Sequence, residues 1–305
     1  MPIVTKFILA IIGSILVSLS CTSYAKGRYS IEFLEVTGPY GGGTSALLEL
    51  DSKYILIDTG HAAYSSLVIS KIKELTDVLH RVVVTHPHKD HYGGLVDISK
   101  AVKIENLHIH PVPSARKDFS FIPSEWQSAV KAVEATGTKV IKESIGNTYK
   151  YNEAKLSTVY LNLGSGSTVN DYSIVQTLTV FGTTMLLTGD LDALSGEEFL
   201  LYVKEHDILQ NPHHGVTTQP DIEFFRKVNP TVLVTSGQKD LVGPPRAELT
   251  WKFVKESSVS HYNVATEGAI KIDFDEEGFT IGSKLYPTNY VPQVPSLASI
   301  LFLLL

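Results

Sequence analysis

Thr85-His86-Pro87-His88-Lys89-Asp90-His91-Tyr92-Gly93-Gly94 packs four ligand-type side chains into the six residues from His86 to His91. The stretch follows Arg81–Thr85, a short β-branched run that reads as a strand. A turn after a strand can point His86 and His88 to one side while Asp90 and His91 reach a second point a few ångströms away. Imidazole and carboxylate suit zinc, iron or manganese, and two such ions about 3.5–4 Å apart can share a bridging hydroxide. The plain alternative is a solvated polar turn.

Composition narrows what such a cluster can serve. The chain has 305 residues, 11 His and a single Cys, with 26 Lys+Arg against 32 Asp+Glu. That length suits one large domain or two small ones. A 43% hydrophobic and 19% charged chain is globular, not disordered, collagen-like or coiled-coil. One Cys excludes a disulfide scaffold and a Cys-rich zinc site. A net charge of −6 argues against a protein that coats nucleic acid by its phosphates.

Around the histidine cluster, strand and helix signals alternate. Tyr29–Val36, Ala46–Asp51, Tyr54–Asp58 and Lys103–His110 read as strands. Tyr64–Val78, Leu95–Val102 and Pro123–Ala135 read as helices. The later part gives strands at Lys139–Lys142, Leu156–Leu163, Ile174–Val180, Thr184–Thr188, Ile208–Gln210 and Thr231–Thr235. Helices are expected at Ala193–His206, Asp221–Val228 and Arg246–Ser257, with further strands through Gly282. Strands in both halves with helices between them predict two sheets flanked by helices in a single domain of the α/β class.

His86-x-His88-x-Asp90-His91 resembles the signature of the metallo-β-lactamase superfamily, and the resemblance runs from roughly Ile31 to Phe279. The strand-ending Asp-Thr-Gly stands at Asp58-Thr59-Gly60. A second strand end reads Leu186-Leu187-Thr188-Gly189-Asp190, and the final histidine lies in Asn211-Pro212-His213-His214-Gly215. With Asn170-Asp171-Tyr172-Ser173, the combination looks most like the C-terminal domain of ComEC-type competence proteins. The choline-phosphate esterases of teichoic acid are similar. The resemblance implies an αββα sandwich and two divalent ions, Zn2+ or Mn2+. His86 and His88 would hold the first metal, Asp90, His91 and His214 the second, and Asp190 would bridge them.

Many members supply a third histidine to the first metal from a loop that here reads Val169-Asn170-Asp171-Tyr172. Asn170 or Asp171 is expected to substitute through oxygen, or water to fill the place, and oxygen donors favour manganese. His214 is preferred over His213 as the ligand, which leaves His213 facing substrate. Asp58 would orient a ligand histidine, or merely cap its turn. Asp190 has a duller reading as the N-cap of the following helix. Lys89 would attract an anionic substrate or stay solvated. His61, His80, His108, His110, His206 and His261 lack ligand spacing.

The expected chemistry is a metal-bridged hydroxide attacking a phosphodiester, with Asp90, Asp58 and His213 in catalytic roles. Hydrolysis of a lactone, thioester or β-lactam by the same centre is the alternative. A catalytically silent metal-binding surface module is the reading from another class. The expected partner is a small-molecule or cell-envelope substrate, and charge disfavours nucleic acid. Gly41-Gly42-Gly43-Thr44-Ser45-Ala46 imitates a dinucleotide-binding loop, but a strand follows it instead of a helix.

The ends of the chain read as addresses. Residues 1–25 have the form of a secretory signal, with Lys6, an apolar run from Phe7 to Leu19, and Ser23-Tyr24-Ala25 at the cleavage site. A membrane anchor is the alternative, though the run is short for a span. Cleavage would remove Lys6 and Cys21, leaving 25 basic and 32 acidic residues, net −7, in an extracytoplasmic compartment without a membrane-integral domain. The hydrolase domain is expected over 26–285. Residues 286–305 would be a Pro-containing spacer and apolar tail, either a sorting signal without its basic end or a segment on the surface.

Overall fold

A computed structural model describes residues 28–37, 43–111, 121–164, 166, 168–216, 218–237 and 246–287. The expected signal segment, the C-terminal tail beyond 287, and Gly41-Gly42 of the glycine run lie outside them. The strands are β1 (Tyr29–Phe33), β2 (Ala46–Leu50), β3 (Lys53–Ile57), β4 (Val78–Leu79), β5 (Arg81–Val83), β6 (Lys103–Ile104), β7 (Asn106–Ile109), β8 (Lys139–Lys142) and β9 (Thr148–Tyr151). They continue as β10 (Ala154–Tyr160), β11 (Val175–Val180), β12 (Thr183–Leu187), β13 (Ile208–Gln210), β14 (Val232–Thr235), β15 (Ser260–Asn263), β16 (Ile270–Asp275), β17 (Gly278–Ile281) and β18 (Lys284–Pro287). The helices are α1 (Ser65–Lys73), α2 (Lys89–Tyr92), α3 (Leu95–Ala101), α4 (Pro123–Glu134), α5 (Ala193–Phe199), α6 (Ile222–Val228), α7 (Glu248–Glu256) and α8 (Val264–Glu267).

Two large sheets carry the fold. One runs β18-β17-β16-β1-β2-β3-β5-β7-β8 and the other β15-β14-β13-β12-β11-β10-β9. Strand alternation explains the layers. In β3, Ile55 and Ile57 face the second sheet and pack with Leu48, Val83, Leu178, Met185 and Ile208. Leu56 between them faces outward, onto α1, α3 and α4, with Val68, Ile72, Leu95, Ile98, Trp126 and Val133. The second sheet does the same on its far side, where Leu186, Leu209 and Leu233 meet Phe199, Phe225 and Phe253 of α5, α6 and α7. The result is the expected αββα sandwich. No helix among the described residues is long and apolar enough to cross a membrane.

Three expected elements come out shorter or split. The helix expected at Tyr64–Val78 starts with a 3-10 turn at Ala62–Tyr64 capped by His61, and α1 ends at Lys73. Val78 and Leu79 instead form β4, parallel to β6, so the strand expected at Lys103–His110 breaks in two. The helix expected at Ala193–His206 stops at Phe199, because the chain turns there to bring Val203 in with Phe199 and to bond His206 N to Val228 O. The strand β9 is absent from the sequence-based expectation. Its Thr-Tyr-Lys-Tyr alternates exposed and half-buried positions at the sheet edge, a weak apolar signal.

The parallel part of the fold positions the site. Strands β3, β5 and β7 run parallel, as do β12, β13 and β14. The chain therefore leaves all of these strands on the same edge of the sandwich. Asp58 follows β3, His86 follows β5, Asp190 follows β12, and His213 and His214 follow β13.

Candidate metal centre

The loop after β5 is folded by a carboxylate set one strand away. Asp58 accepts from Thr85 N at 2.7 Å and from Thr85 Oγ1 at 2.8 Å, and its Oδ2 accepts from His91 Nδ1 at 2.7 Å. Asp58 and His91 are both fully buried. Three short bonds on one carboxylate pin the start of the histidine loop and its last ligand together. They fix the His91 tautomer with Nε2 free to face the cluster. The oriented-ligand reading of Asp58 thus stands over the turn-cap reading, although its backbone at φ 57 is also a turn conformation.

His91 Nε2 lies 3.1 Å from Asp190 Oδ1, and His214 Nε2 lies 3.4 Å from Asp190 Oδ2 and 3.3 Å from Asp90 Oδ2. His86 Nε2 is 3.7 Å from Asp190 Oδ2 and 2.9 Å from His88 Nδ1. Two groups result. Asp90, His91, Asp190 and His214 each offer a ligand atom within 4.8 Å of the others, and so do His86, His88 and Asp190. Asp190 belongs to both. Ligand atoms bonded to one tetrahedral ion at about 2.1 Å stand about 3.4 Å apart, so these spacings fit metal coordination.

The donor set shows the same fit. The buried Nε2 atoms of His91 and His214 make no hydrogen bond. A buried nitrogen without a partner is costly unless it binds something. His214 Nδ1 donates to Ser236 O at 2.9 Å, which aims Nε2 inward. His213 Nε2 is 3.7 Å from Asp190 Oδ2, yet it belongs to neither ligand group. The preference for His214 as ligand agrees with this geometry.

Charge balances within the cluster. Burial alone would raise Asp190, but the imidazoles of His214 and His91 hold its carboxyl well below the usual range. Asp90 is lowered too, by His91 and His214 against the same burial. Burial would lower His214, but Asp190 and Asp90 outweigh it and push it up to about 10. His91 is raised well above its ordinary value by Asp190, Asp58 and Asp90 in spite of burial. His86 goes the other way, lowered by burial and by the neighbouring His91. Asp90 and Asp190 therefore stay anionic, as cation ligands must.

Other expected residues fall into place around this core. Asp192, not Asp190, caps α5 by accepting from Ala193 N at 3.0 Å, which leaves Asp190 to the cluster. Asp171 is fully buried, and its two oxygens accept from Thr168 N at 3.2 Å and Ser195 Oγ at 3.1 Å. It braces the loop before β11. Asn170 touches the His213 ring, with Nδ2 3.2 Å from Nε2 and 3.5 Å from Nδ1, and its buried Oδ1 makes no hydrogen bond. Lys89 Nζ lies 2.7 Å from Glu125 Oε2, with both side chains about half exposed.

The remaining histidines have partners of their own. His80 accepts from Tyr54 N, His108 bonds Glu143, His206 meets Thr177, and His261 meets Thr235. Sequence reasoning missed Ser173, whose Oγ accepts from Asp190 N at 3.1 Å, and Ser236 and Thr218, which hold the two adjacent histidines. Nothing in their spacing marks them.

Comparison with known proteins agrees with the fold. The family model for the metallo-beta-lactamase superfamily matches residues 38–236. The uncharacterized protein YcaI of Escherichia coli is 26% identical over 207 residues, covering 65% of this chain and 24% of that protein. Recombination protein 2 of Haemophilus influenzae is 21% identical over 263 residues, covering 84% and 30% respectively. The chain thus spans between a quarter and a third of these relatives' lengths. That weak similarity accords with the resemblance to ComEC-type proteins.

Among solved structures, the metallo-beta-lactamase fold protein YhfI from Bacillus subtilis aligns with a TM-score of 0.53 at 12% identity, covering 81% of this chain and all of that one. The metallo hydrolase Igni18 from Ignicoccus hospitalis aligns at 0.50 and 15% identity, covering 81% and 100%. Tm1679, described as a metal-dependent hydrolase of the beta-lactamase superfamily, aligns at 0.50 and 15%, covering 80% and 98%. With the family model covering most of the chain and the ligand residues assembled at one edge of the sandwich, this protein belongs to the metallo-β-lactamase superfamily and has the fold of its metal-dependent hydrolases.

Proposed function

We propose that the chain is an exported phosphodiesterase that works with two divalent ions. The observation that carries the reading is Asp190, whose carboxylate lies between the His86–His88 pair and the Asp90–His91–His214 group. One carboxylate shared by two ligand groups suits a pair of ions, with Asp90 and His91 on one side and His86 and His88 on the other. Bound there, such a pair supplies an activated water near neutral pH and neutralises charge that builds up on the reacting centre.

The chain's own residues do the rest. Asp58 and Ser236 hold the His91 and His214 rings, so that their Nε2 atoms keep one direction through turnover. His213, partly exposed and 3.7 Å from Asp190 Oδ2, stands beside Asn170, where a substrate oxygen can meet an imidazole and an amide. An Asn170 oxygen given to the first-metal side would favour manganese there. Export rests on residues 1–25, and the substrate is therefore sought in the cell envelope or outside the cell.

Purified protein loaded with manganese or zinc is expected to cleave bis(p-nitrophenyl) phosphate, and Asp90→Ala to abolish this. No turnover with any divalent ion overturns the phosphodiesterase reading. Cleavage of nitrocefin or a lactone with no phosphodiester turnover assigns the same centre to carbonyl substrates instead. Metal analysis is expected to return two equivalents, and none would remove the basis of the proposal. Fractionation of cells that express the full chain tests export, with recovery in the cytoplasm counting against it.

A further inference from the structure

Gly43-Thr44 belongs to the glycine run that imitates a dinucleotide-binding loop, but it faces the histidine loop. Thr44 stands just before β2, which runs antiparallel to β3, so this end of β2 lies on the same edge of the sandwich as Asp58. Thr44 N donates to Asp90 O at 3.3 Å, and Thr44 O accepts from Gly60 N at 3.0 Å. The approach needs glycine at the preceding position. A Cβ on Gly43 would fall 2.2 Å from Asp90 O, and its backbone at φ 156 is one that side chains rarely adopt.

The Thr44 side chain reaches the opposite sheet. Its Oγ1 lies 2.9 Å from Ser236 Oγ, and both residues are buried. Ser236 follows β14, and its carbonyl is the one that accepts from His214 Nδ1 at 2.9 Å. Thr44 therefore holds Asp90 by its backbone and, by its hydroxyl, the residue that aims His214. Asp90 and His91 come from the first sheet, and Asp190 and His214 from the second. Their common group keeps its span only while the two sheet edges keep theirs. On the His86 flank a backbone bond crosses between the sheets, Ile174 N to Thr85 O at 2.9 Å. On the His214 flank the Thr44–Ser236 pair crosses. Removing one member of such a pair strands the other hydroxyl away from water, so the bond resists opening.

We propose that Thr44 is a positioning residue whose hydroxyl bond to Ser236 sets the separation of Asp90 and His214, and with it the affinity for a divalent ion at the group they share with His91 and Asp190. This rests on the two-ion reading for its effect on metal, but the link between the two loops does not.

The test compares full-length wild type, Thr44→Val, Thr44→Ser, Ser236→Ala and the double variant T44V/S236A. Valine keeps the shape and removes the hydroxyl, serine restores it, and alanine at 236 keeps the carbonyl that His214 uses. In a zinc titration against a chromophoric chelator, T44V and S236A are each expected to hold one of the two ions about tenfold less tightly, with T44S within about twofold of wild type. The double variant should lose no more than either single one, because both singles break the same bond. Wild-type affinity in T44V and S236A overturns the proposal, as does a double loss equal to the product of the single losses. In metal-free protein, amide hydrogen exchange over His86–His91 and His213–Gly215 is expected to be faster in T44V and S236A than in wild type and T44S. Equal exchange in all of them also overturns it. If wild type binds no ion, the two-ion reading fails by itself and the exchange still decides the role of Thr44.

Discussion

The Asp58 carboxylate and the His91 imidazole are joined by a 2.7 Å hydrogen bond between Oδ2 and Nδ1, with both side chains fully buried. It links the end of β3 to the end of the histidine loop, and so couples the rigidity of the sheet to the direction of a candidate ligand nitrogen. Asp58→Asn tests that coupling cleanly, because asparagine tolerates the left-handed backbone at φ 57 and keeps the shape. Loss of the charged acceptor behind a ligand histidine typically weakens metal binding about 10–100-fold. A competition titration with a chromophoric chelator is expected to show a drop of that size for the second ion, with the circular dichroism spectrum unchanged. Wild-type affinity would mean that Asp58 only shapes its turn.

His213 and His214 are neighbours in sequence with separate tasks, and parallel substitutions distinguish them. Asparagine is the proper replacement at both, since each residue has positive φ. His214→Asn removes a nitrogen 3.3 Å from Asp90 and 3.4 Å from Asp190 and is expected to lower bound metal from two equivalents toward one. His213→Asn is expected to keep both equivalents and lose turnover. Plasma emission analysis beside a rate assay reads both, and metal loss in the His213 variant alone would reverse the assignment.

How much of this was legible in the sequence depends on the kind of contact. His86, His88, Asp90 and His91 are close in sequence, so their convergence needs only one turn. Asp58, Asp190 and His214 could be placed because each ends a strand, and parallel strands deliver their ends to one edge. The partners that hold those side chains escaped notice. Ser173 acts through one contact 17 residues away and Ser236 through its backbone carbonyl, 22 residues from His214, contacts that leave no periodicity, while Thr218 sits five residues from His213 with no spacing that marks a role. The fate of Asp171 was equally hidden, since its partner Ser195 lies 24 residues on, in α5. The length of α5 was overestimated because Leu200–Val203 is apolar enough to continue a helix, yet the chain turns to seat Val203 in the outer core.

Gly237 guards His214 from behind. A Cβ there would lie 2.8 Å from the His214 Cβ, and the backbone at φ 148 is one that other residues rarely adopt. Gly237→Ala must therefore strain its own backbone and displace the ring whose Nδ1 donates to the preceding carbonyl, Ser236 O. Backbone strain of this type costs about 1–3 kcal/mol. The variant is expected to melt a few degrees lower and to bind its second metal more weakly than wild type. Unchanged metal affinity in a folded variant would show that the ring has room to shift without consequence.

Acid sensitivity should arise far from the metal centre, at Glu143. This residue is 1% exposed, and its carboxylate accepts from His108 Nδ1 at 2.5 Å, Thr158 Oγ1 at 3.0 Å, Tyr149 OH at 3.0 Å and Asn147 Nδ2 at 3.2 Å. The network ties β7 and the end of β8 in one sheet to β9 and β10 in the other, with the Arg81 guanidinium 3.1 Å above the Tyr149 ring. Burial works to raise Glu143, but the donors led by His108 hold it down at about 2. A carboxyl depressed in the folded state stabilises the protein above its unfolded value near 4.5 and loses that contribution as pH falls toward 2. His108, lowered by burial, acts in the same direction below its ordinary value of 6.5. Glu143→Gln should therefore cost on the order of 2 kcal/mol at pH 7. The gap between wild type and variant should shrink by more than half by about pH 3, because protonation has then removed most of what the carboxylate contributes. Urea unfolding at pH 7, 5, 4 and 3 measures it. A gap that stays constant across that range would mean the carboxylate's charge is not what holds the two sheets together at this edge.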